Sequence, residues 1–439
     1  MRNAIRKILS LLLITCLCFL CIACNSGGSV DGVDTGGGGE EIIPPTPYEV
    51  PIVRIDTNGA TIDSKIDYVD MTFSIEKVEN ALTNVDGGIR LRGNSTKDLP
   101  KKPFRIKFDK KQSLFGLEKA KSWVLLAEYL DPSGLRNYSA FKLASQMPGL
   151  GFTPTPYKVD VYLNGEYIGL YTLCEQVQEN EGRMDIEHEE ITADMTDLFD
   201  FNFFISMDAS CRFDEDAVLN ETYFYLEDYD RYFELKYPEK DQFVSNEQFL
   251  SFFSQLKQYV EYIMYIFETK DEDAIRSATN VESLMDYLMV DVMMGEMDHG
   301  KKSFHMYYTN TSSNAENGKL NFGPVWDYDA SLYCGWTGKP NVNYTVSNGF
   351  YFTNSFFKAI ANTPSLYDEV KARYASHGRK AIENTILELE DIIPKIETSL
   401  DENHDLWNAD LPADTTDKNV EFLLAFLRNR LTVLDNAWT

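Results

Sequence analysis

The chain is 439 residues long, 44% hydrophobic and 13% aromatic, which is enough apolar material for one large or two ordinary domains with a real core. A disordered protein is thereby excluded. The formal net charge of −28 argues against phosphate backbones and anionic lipid surfaces as binding partners, so no nucleic-acid partner is expected, and a basic protein suits it better.

The first residues read as an address. Arg2, Arg6 and Lys7 precede an apolar run from Ile8 to Ala23, the pattern of a signal peptide over residues 1–23 rather than a spanning helix. The stretch FLCIAC, residues 19–24, resembles a bacterial lipobox, with Cys21 where Leu is usual. That resemblance implies cleavage before Cys24 and a lipid on Cys24, and losing three positive charges takes the net charge from −28 to −31. Residues 24–48 turn from Gly-rich to Pro-rich and read as a flexible tether. The expectation is a body held at the cell envelope, outside the cytoplasm, with the membrane reached through the N-terminal lipid. Of seven cysteines, Cys174, Cys211 and Cys334 remain in the body, allowing at most one disulfide and showing no metal-site spacing.

From Val50 the texture alternates. PIVRID, YVDMTFSIE, GGIRLRGNST and KPFRIKFD are four predicted strands, with NGATIDSK and TNVDGG as turns between them. Asp131-Pro132-Ser133 predicts a helix start, with Leu135, Tyr138, Leu143 and Met147 on one apolar side and Pro148-Gly149 ending it. YKVDVYLNGEYIGLYTL is a hairpin turning at Asn164-Gly165 in the type I′ manner. Short aromatic strands such as TYFYLE and RYFELKYP follow. The period then changes to 3.6: Ser245 with Gln248 forms a capping box, and Phe249, Phe252, Leu256, Val260, Ile263 and Phe267 trace one stripe. A Met-rich helix, a hairpin of FHMYY with KLNFGPVW, and two further helical stretches complete the chain. Strands first and helices after predict an α+β body of two lobes, about 49–177 and 178–439.

Candidate chemistry lies at element ends. Asp298 in GEMD follows the Met-rich helix, and Asp327 with Asp329 in GPVWDYD follows the hairpin. Such carboxylates suit a metal ion with a base, or an acid and base pair for glycoside cleavage, and spacing does not choose. Asp327 and Asp329 share a face if the segment is extended, with Trp326 and Tyr328 turned the other way. Arg90 and Arg92 alternate on one strand, Arg105 and Lys107 on another; a basic face opposite Asp-bearing loops is what a Mg-nucleotide needs.

GIRLRGNST, KKPFRIKFDKKQSLFGLEKAKSWVLLAEYLDPSGLRN, VDVYLNGEYIGLYTLCEQV and GPVWDYD, in this order, resemble the spore coat protein H (CotH-like) kinase family over about residues 50–340. The resemblance implies an atypical protein-kinase-like fold that binds ATP and Mg²⁺, or Mn²⁺ in its place, and phosphorylates Ser or Thr of a surface or coat protein, here a basic, Ser/Thr-rich one. It implies Lys107 on the phosphates with Arg105 as understudy. RGNST, with Arg92, Gly93 and Asn94, stands where a Gly-rich phosphate loop would be. Glu175, Gln176 and Val177 fall at the adenine hinge. Asp298 becomes the residue receiving the acceptor proton, Asp327 the metal ligand, and Asp329 a support or second-ion ligand. Ser303 stands where members carry Asn, a weaker ligand for a second ion. GLRNYSAFKLASQM offers no Glu to Lys107. Those two departures keep a non-catalytic surface scaffold as the alternative. His299 and His305 lack zinc-enzyme spacing and read as structural, with His299 also a candidate substrate contact.

Overall fold

Alternating apolar residues in the first part of the chain build seven strands: β1 (Ile52–Asp56), β2 (Val69–Glu76), β3 (Leu82–Leu91), β4 (Phe104–Gln112), β5 (Ala120–Leu126), β6 (Tyr157–Leu163) and β7 (Glu166–Glu175). The computed structural model describes residues 49–93, 95–186, 190–208, 221–296, 299–300, 302–310, 318–334, 354–407 and 416–439. Leader, Cys24 and tether therefore lie outside the described residues, and Tyr48–Thr439 forms one compact unit. The strands close into a barrel in the order β1-β2-β3-β4-β5-β7-β6. Its closing seam is the parallel pairing of β1 with β6, Ile52 opposite Asp160 through Ile55 opposite Leu163. No local pattern predicts that seam, because its two strands are about a hundred residues apart.

The barrel interior is filled by the expected alternate residues, among them Phe73, Ile106, Trp123, Val161 and Leu173. Two strand expectations are corrected. TNVDGG is not a turn but the body of β3: a Cβ on Gly87 would stand 2.8 Å from the Lys107 carbonyl oxygen, so the glycine permits close approach of β4. AKSWVLL, unpredicted, is β5; Trp123 and Leu125 point inward while Val124 and Leu126 join the helical core outside, so burial on both faces erases the alternation. The β6–β7 hairpin turns as predicted, with φ of +51° at Asn164 and +86° at Gly165.

Helix α1 (Arg136–Ala144) starts later than Asp131-Pro132-Ser133 predicts. Asp131 still serves its first turn, accepting from the Arg136 amide at 2.8 Å, but from five residues upstream, because it also holds the Arg136 guanidinium at 3.1 Å. Beyond the barrel a second sheet runs β12 (Leu320–Phe322), β11 (Phe304–Tyr308), β8 (Phe203–Met207), β10 (Arg231–Tyr237), β9 (Tyr223–Leu226). The helices follow: α2 (Asn246–Thr269), α3 (Glu272–Ala278), α4 (Val281–Met294), α5 (Ser355–Asn362), α6 (Pro364–Arg373), α7 (Arg379–Trp407) and α8 (Thr416–Trp438). The six residues of the predicted α2 stripe are all buried. Ser245 accepts from the Gln248 amide as expected, yet Gln248 reaches back to the Val244 amide, so the box is displaced by one residue. The α+β order therefore holds. Among the described residues no helix is long and apolar enough to cross a membrane, and Cys174 and Cys334 are both buried.

Helix α7 braces the two halves. Near its start Asn384 donates to Gln146 and Glu388 pairs with Lys142 of α1; near its end Ser399 donates to Asp160, Asn403 accepts from the Leu170 amide at 3.1 Å, and Trp407 donates to the Ile168 carbonyl at 3.0 Å. Gly169 (φ +112°) makes the room, since a Cβ there would lie 2.6 Å from Asn403 Oδ1. Asn403→Ala leaves the Leu170 amide without its acceptor and is expected to lower stability by about 1–2 kcal/mol, read from the urea midpoint.

Candidate functional site

The segment after β12 is held residue by residue. The Gly323 amide donates to the His305 carbonyl, and His305 Nδ1 in turn lies 2.9 Å from the Pro324 carbonyl. His299 Nε2 meets the Trp326 carbonyl at 2.8 Å while its Nδ1 lies 2.9 Å from both Asp291 oxygens at the end of α4. The Tyr328 hydroxyl donates to the same Asp291 at 2.5 Å, and the Tyr328 amide donates to Asn137 of α1 at 2.8 Å. Arg136 donates to the Asp329 carbonyl at 2.9 Å. Backbone this firmly fixed can carry side chains in strained geometry.

The strain is visible. Asp327 has φ +72° and Ser303 φ +54°, both left-handed without being glycine. Ser303 Oγ donates to Asp327 Oδ2 at 2.8 Å. GPVWDYD is thus not a plain extended segment, and its expected division of faces is only half met: Tyr328 is buried, but Trp326 lines the same cleft as Asp327 and Asp329. Its ring stacks on Phe141 and takes the Arg92 guanidinium 5.0 Å from its centroid.

Arg92, Lys101, Glu128 and Asn137 line that cleft with the three residues just named. Burial, then the neighbouring Asp327, Asp131, Glu296 and Glu128, pushes the Asp329 carboxyl well above the usual range. Burial lowers Arg92 as well, opposed by Cys174, Asp327 and Asp329. Lys101, almost fully buried, donates to the Leu170 carbonyl, and burial with nearby Lys158 holds its pKa well down. Glu128 Oε2 accepts from Lys158 at 2.8 Å and from Thr172 at 2.9 Å, whereas Glu128 Oε1 is buried without a partner.

The two histidines differ. Burial opposes charge on His299, but Asp291, its hydrogen bond, Glu296 and the Trp326 carbonyl outweigh it and raise the pKa to about 9. His299 is therefore an imidazolium clamp with both nitrogens engaged and no surface for substrate. Burial lowers His305 to about 3, so it stays neutral and donates through Nδ1 to Pro324.

Of the predicted site residues, the cleft gathers Arg92, Asp327 and Asp329, with Ser303 bonded to Asp327 and Gly93 in the turn after Arg92. Asp298, Asn94 and Cys24 lie outside the described residues. Lys107 does not line the cleft: it is exposed on β4, 5.9 Å from the Tyr68 ring centroid, because inward Phe104, Ile106 and Phe108 turn it to the outer wall. Arg105, on the same wall, makes long contacts to Ser122 (3.3 Å) and Gln178 (3.4 Å). Glu175, Gln176 and Val177 end β7 away from the cleft lining. Glu175 accepts from the Thr155 amide, the Gln176 carbonyl accepts from Arg183, and the Val177 carbonyl accepts from Gln176. Sequence reasoning missed Lys101, Glu128 and Lys158. Lys101 opens the same KKPFRIK run that ends in Lys107, and Lys158 alternates with Val159 as if solvent-facing, so neither carries a separate signal.

Among the described residues no three His, Cys, Asp or Glu side chains form a metal-holding group. Two carboxylates, a serine hydroxyl and the orphaned Glu128 oxygen nonetheless supply hard oxygen donors, and Arg92 and Lys101 stand beside them, a set that fits a water-completed Mg²⁺ with an anionic ligand. Among curated proteins none matches the chain. The family described as CotH kinase protein matches residues 89–434, starting within the barrel and reaching through the C-terminal helices, well past the 340 at which the motif resemblance stops. The chain belongs to the CotH kinase family.

Proposed function

We propose that the chain is a Mg-ATP-dependent atypical protein kinase, with Mn²⁺ as the alternative ion, that phosphorylates Ser or Thr of a basic surface or coat protein. We further propose that it works at the cell envelope, anchored through a lipid on Cys24. The observation that carries the reading is the placing of Asp327 and Asp329 on one cleft with Arg92 and Lys101. A barrel-bearing half and a helical half on either side of a cleft suit a two-lobed kinase-like arrangement.

In this reading Asp327 and Asp329, with the Ser303 oxygen, hold the ion, and Arg92 takes phosphate oxygens at the cleft mouth. When bound, the ion neutralises charge on the transferring phosphoryl group. Trp326 orients Arg92 by its ring face. Lys107 and Arg105 would have to swing toward the cleft to take the role that family resemblance implies for them, and Lys101 is nearer. Asp298 is proposed to receive the acceptor hydroxyl proton. One observation favours a non-catalytic scaffold instead: among the described residues Lys107 has no carboxylate partner, and the buried Lys158–Glu128 pair, 2.8 Å, is made elsewhere.

Equilibrium binding of ATP with Mg²⁺ or Mn²⁺ to the purified protein, followed by label transfer to itself and to a basic Ser/Thr-rich protein, separates the readings. Binding at micromolar ATP with transfer is expected. Binding without transfer selects the scaffold, and no binding by the folded protein removes the kinase reading.

A further inference from the structure

The barrel beside the cleft carries arginines whose donors, among the described residues, are left without hydrogen-bond acceptors. In a chain of net charge −28, several described arginines have a carboxylate: Arg54 pairs with Glu76, Arg136 with Asp131, Arg276 with Glu369, Arg373 with Asp286 and Arg379 with Asp435. Arg90 and Arg105 on the barrel's outer wall, and Arg183 at its edge beside Glu175, form no ion pair among the described residues. Arg183 is only 6% exposed; its Nη1 donates to the Gln176 carbonyl and its guanidinium lies 5.0 Å from the Trp123 centroid, while Nε and Nη2 are buried without partners. Arg105 Nε and Arg90 Nε are likewise buried and unpartnered, with Arg90 5.1 Å from the Tyr68 centroid. Burial lowers Arg183 to about 10 against the opposing pull of Glu175 and Cys174, and Arg105 adds to the lowering. Burial lowers Arg105 too, with Arg90 adding to it against Tyr68 and the exposed Glu239.

Buried guanidinium donors without acceptors are costly, and like charges side by side raise that cost. Such a cluster is retained at little loss if an anion completes it. We infer that Arg90, Arg105 and Arg183 form a metal-independent binding site for a phosphate ester or polyphosphate on the barrel's outer wall, distinct from the acidic cleft. Planar forks suit the tetrahedral oxygens, and the half-exposed Arg90 and Arg105 with exposed Lys107 leave the wall open to solvent. One chemistry has two sources here: the phosphate tail of a nucleotide extending past Arg92, or a phosphoseryl group on an acceptor already modified. The second would let one modification recruit the segment for the next. The site stands on the arginines alone, while its use by a nucleotide or an acceptor rests on the kinase reading.

Calorimetry with inorganic tripolyphosphate in EDTA tests it, since chelation leaves the arginines and removes any metal contribution. Wild-type protein is expected to bind, and Arg183→Gln and Arg105→Gln each to weaken binding about tenfold, the equivalent of about 1.4 kcal/mol. Should Arg183→Gln fail to fold, the half-exposed Arg105→Gln carries the comparison. Displacement by metal-free ATP identifies the nucleotide tail, and displacement by a phosphoserine peptide but not by ATP or the unmodified peptide identifies the acceptor. No binding in EDTA, or wild-type affinity in both folded variants, overturns the site. Absence of phosphoryl transfer with tripolyphosphate binding intact sinks the kinase reading alone.

Discussion

Asp327→Asn is expected to lower phosphoryl transfer from ATP by about 10²–10³-fold while leaving the fold intact, as for removal of one preorganised electrostatic contact. The substitution is isosteric, and Asn tolerates the left-handed φ of +72° better than most residues, so the segment keeps its path. An Asn side chain can still accept from Ser303 Oγ, which lies 2.8 Å from Asp327 Oδ2. What disappears is one negative charge at the oxygen cluster. The loss therefore falls on metal affinity first, and titration of Mn²⁺ in the presence of ATP should show it directly. Unchanged transfer at saturating Mg²⁺ would refute the assignment of Asp327.

Asp291→Ala is expected to destabilise the protein by about 3–5 kcal/mol below pH 6.5, because it strands a buried imidazolium. Asp291 holds His299 through both oxygens and receives the Tyr328 hydroxyl, so its loss also frees the backbone that aims Asp327. The pH dependence follows in sign. His299 is raised from 6.5 to about 9, so its contribution, about 3 kcal/mol, is complete below pH 6.5 and is lost as pH rises through 9. His305, lowered to about 3, contributes above pH 6.5 and loses that contribution as pH falls toward 3. Urea unfolding of the wild type should weaken from pH 6.5 to 9.5, and the gap to Asp291→Ala should narrow over the same range. A flat wild-type profile there would show that His299 is not charged in the fold.

Where a residue's neighbours in sequence are also its neighbours in space, the chain could be read. The Asn164-Gly165 hairpin and the α2 stripe from Phe249 to Phe267 rest on local turn chemistry and period, and both are present. β5 escaped because two cores share it, and β3 was cut short because Gly87 signals close approach as readily as a turn. In the site, Asp327 and Asp329 were legible from their place at an element end. That Lys101 lines the cleft was not: alternation says which side of β4 a residue takes, but not which part of a curved wall meets the helices. Glu128 with Lys158 joins two points thirty residues apart, and only the folded chain brings them together.

The brace made by α7 also sets an order of assembly. The Leu170 amide and Ile168 carbonyl on β7 find their partners in Asn403 and Trp407, and β1 finds its parallel neighbour only in β6. Strands that emerge first thus wait for residues that emerge near the end. Until α7 arrives, the early chain exposes unmatched strand backbone, the kind of surface that recruits other chains. A chain interrupted before Ser399 is accordingly left as a sticky, protease-sensitive intermediate rather than a smaller working barrel.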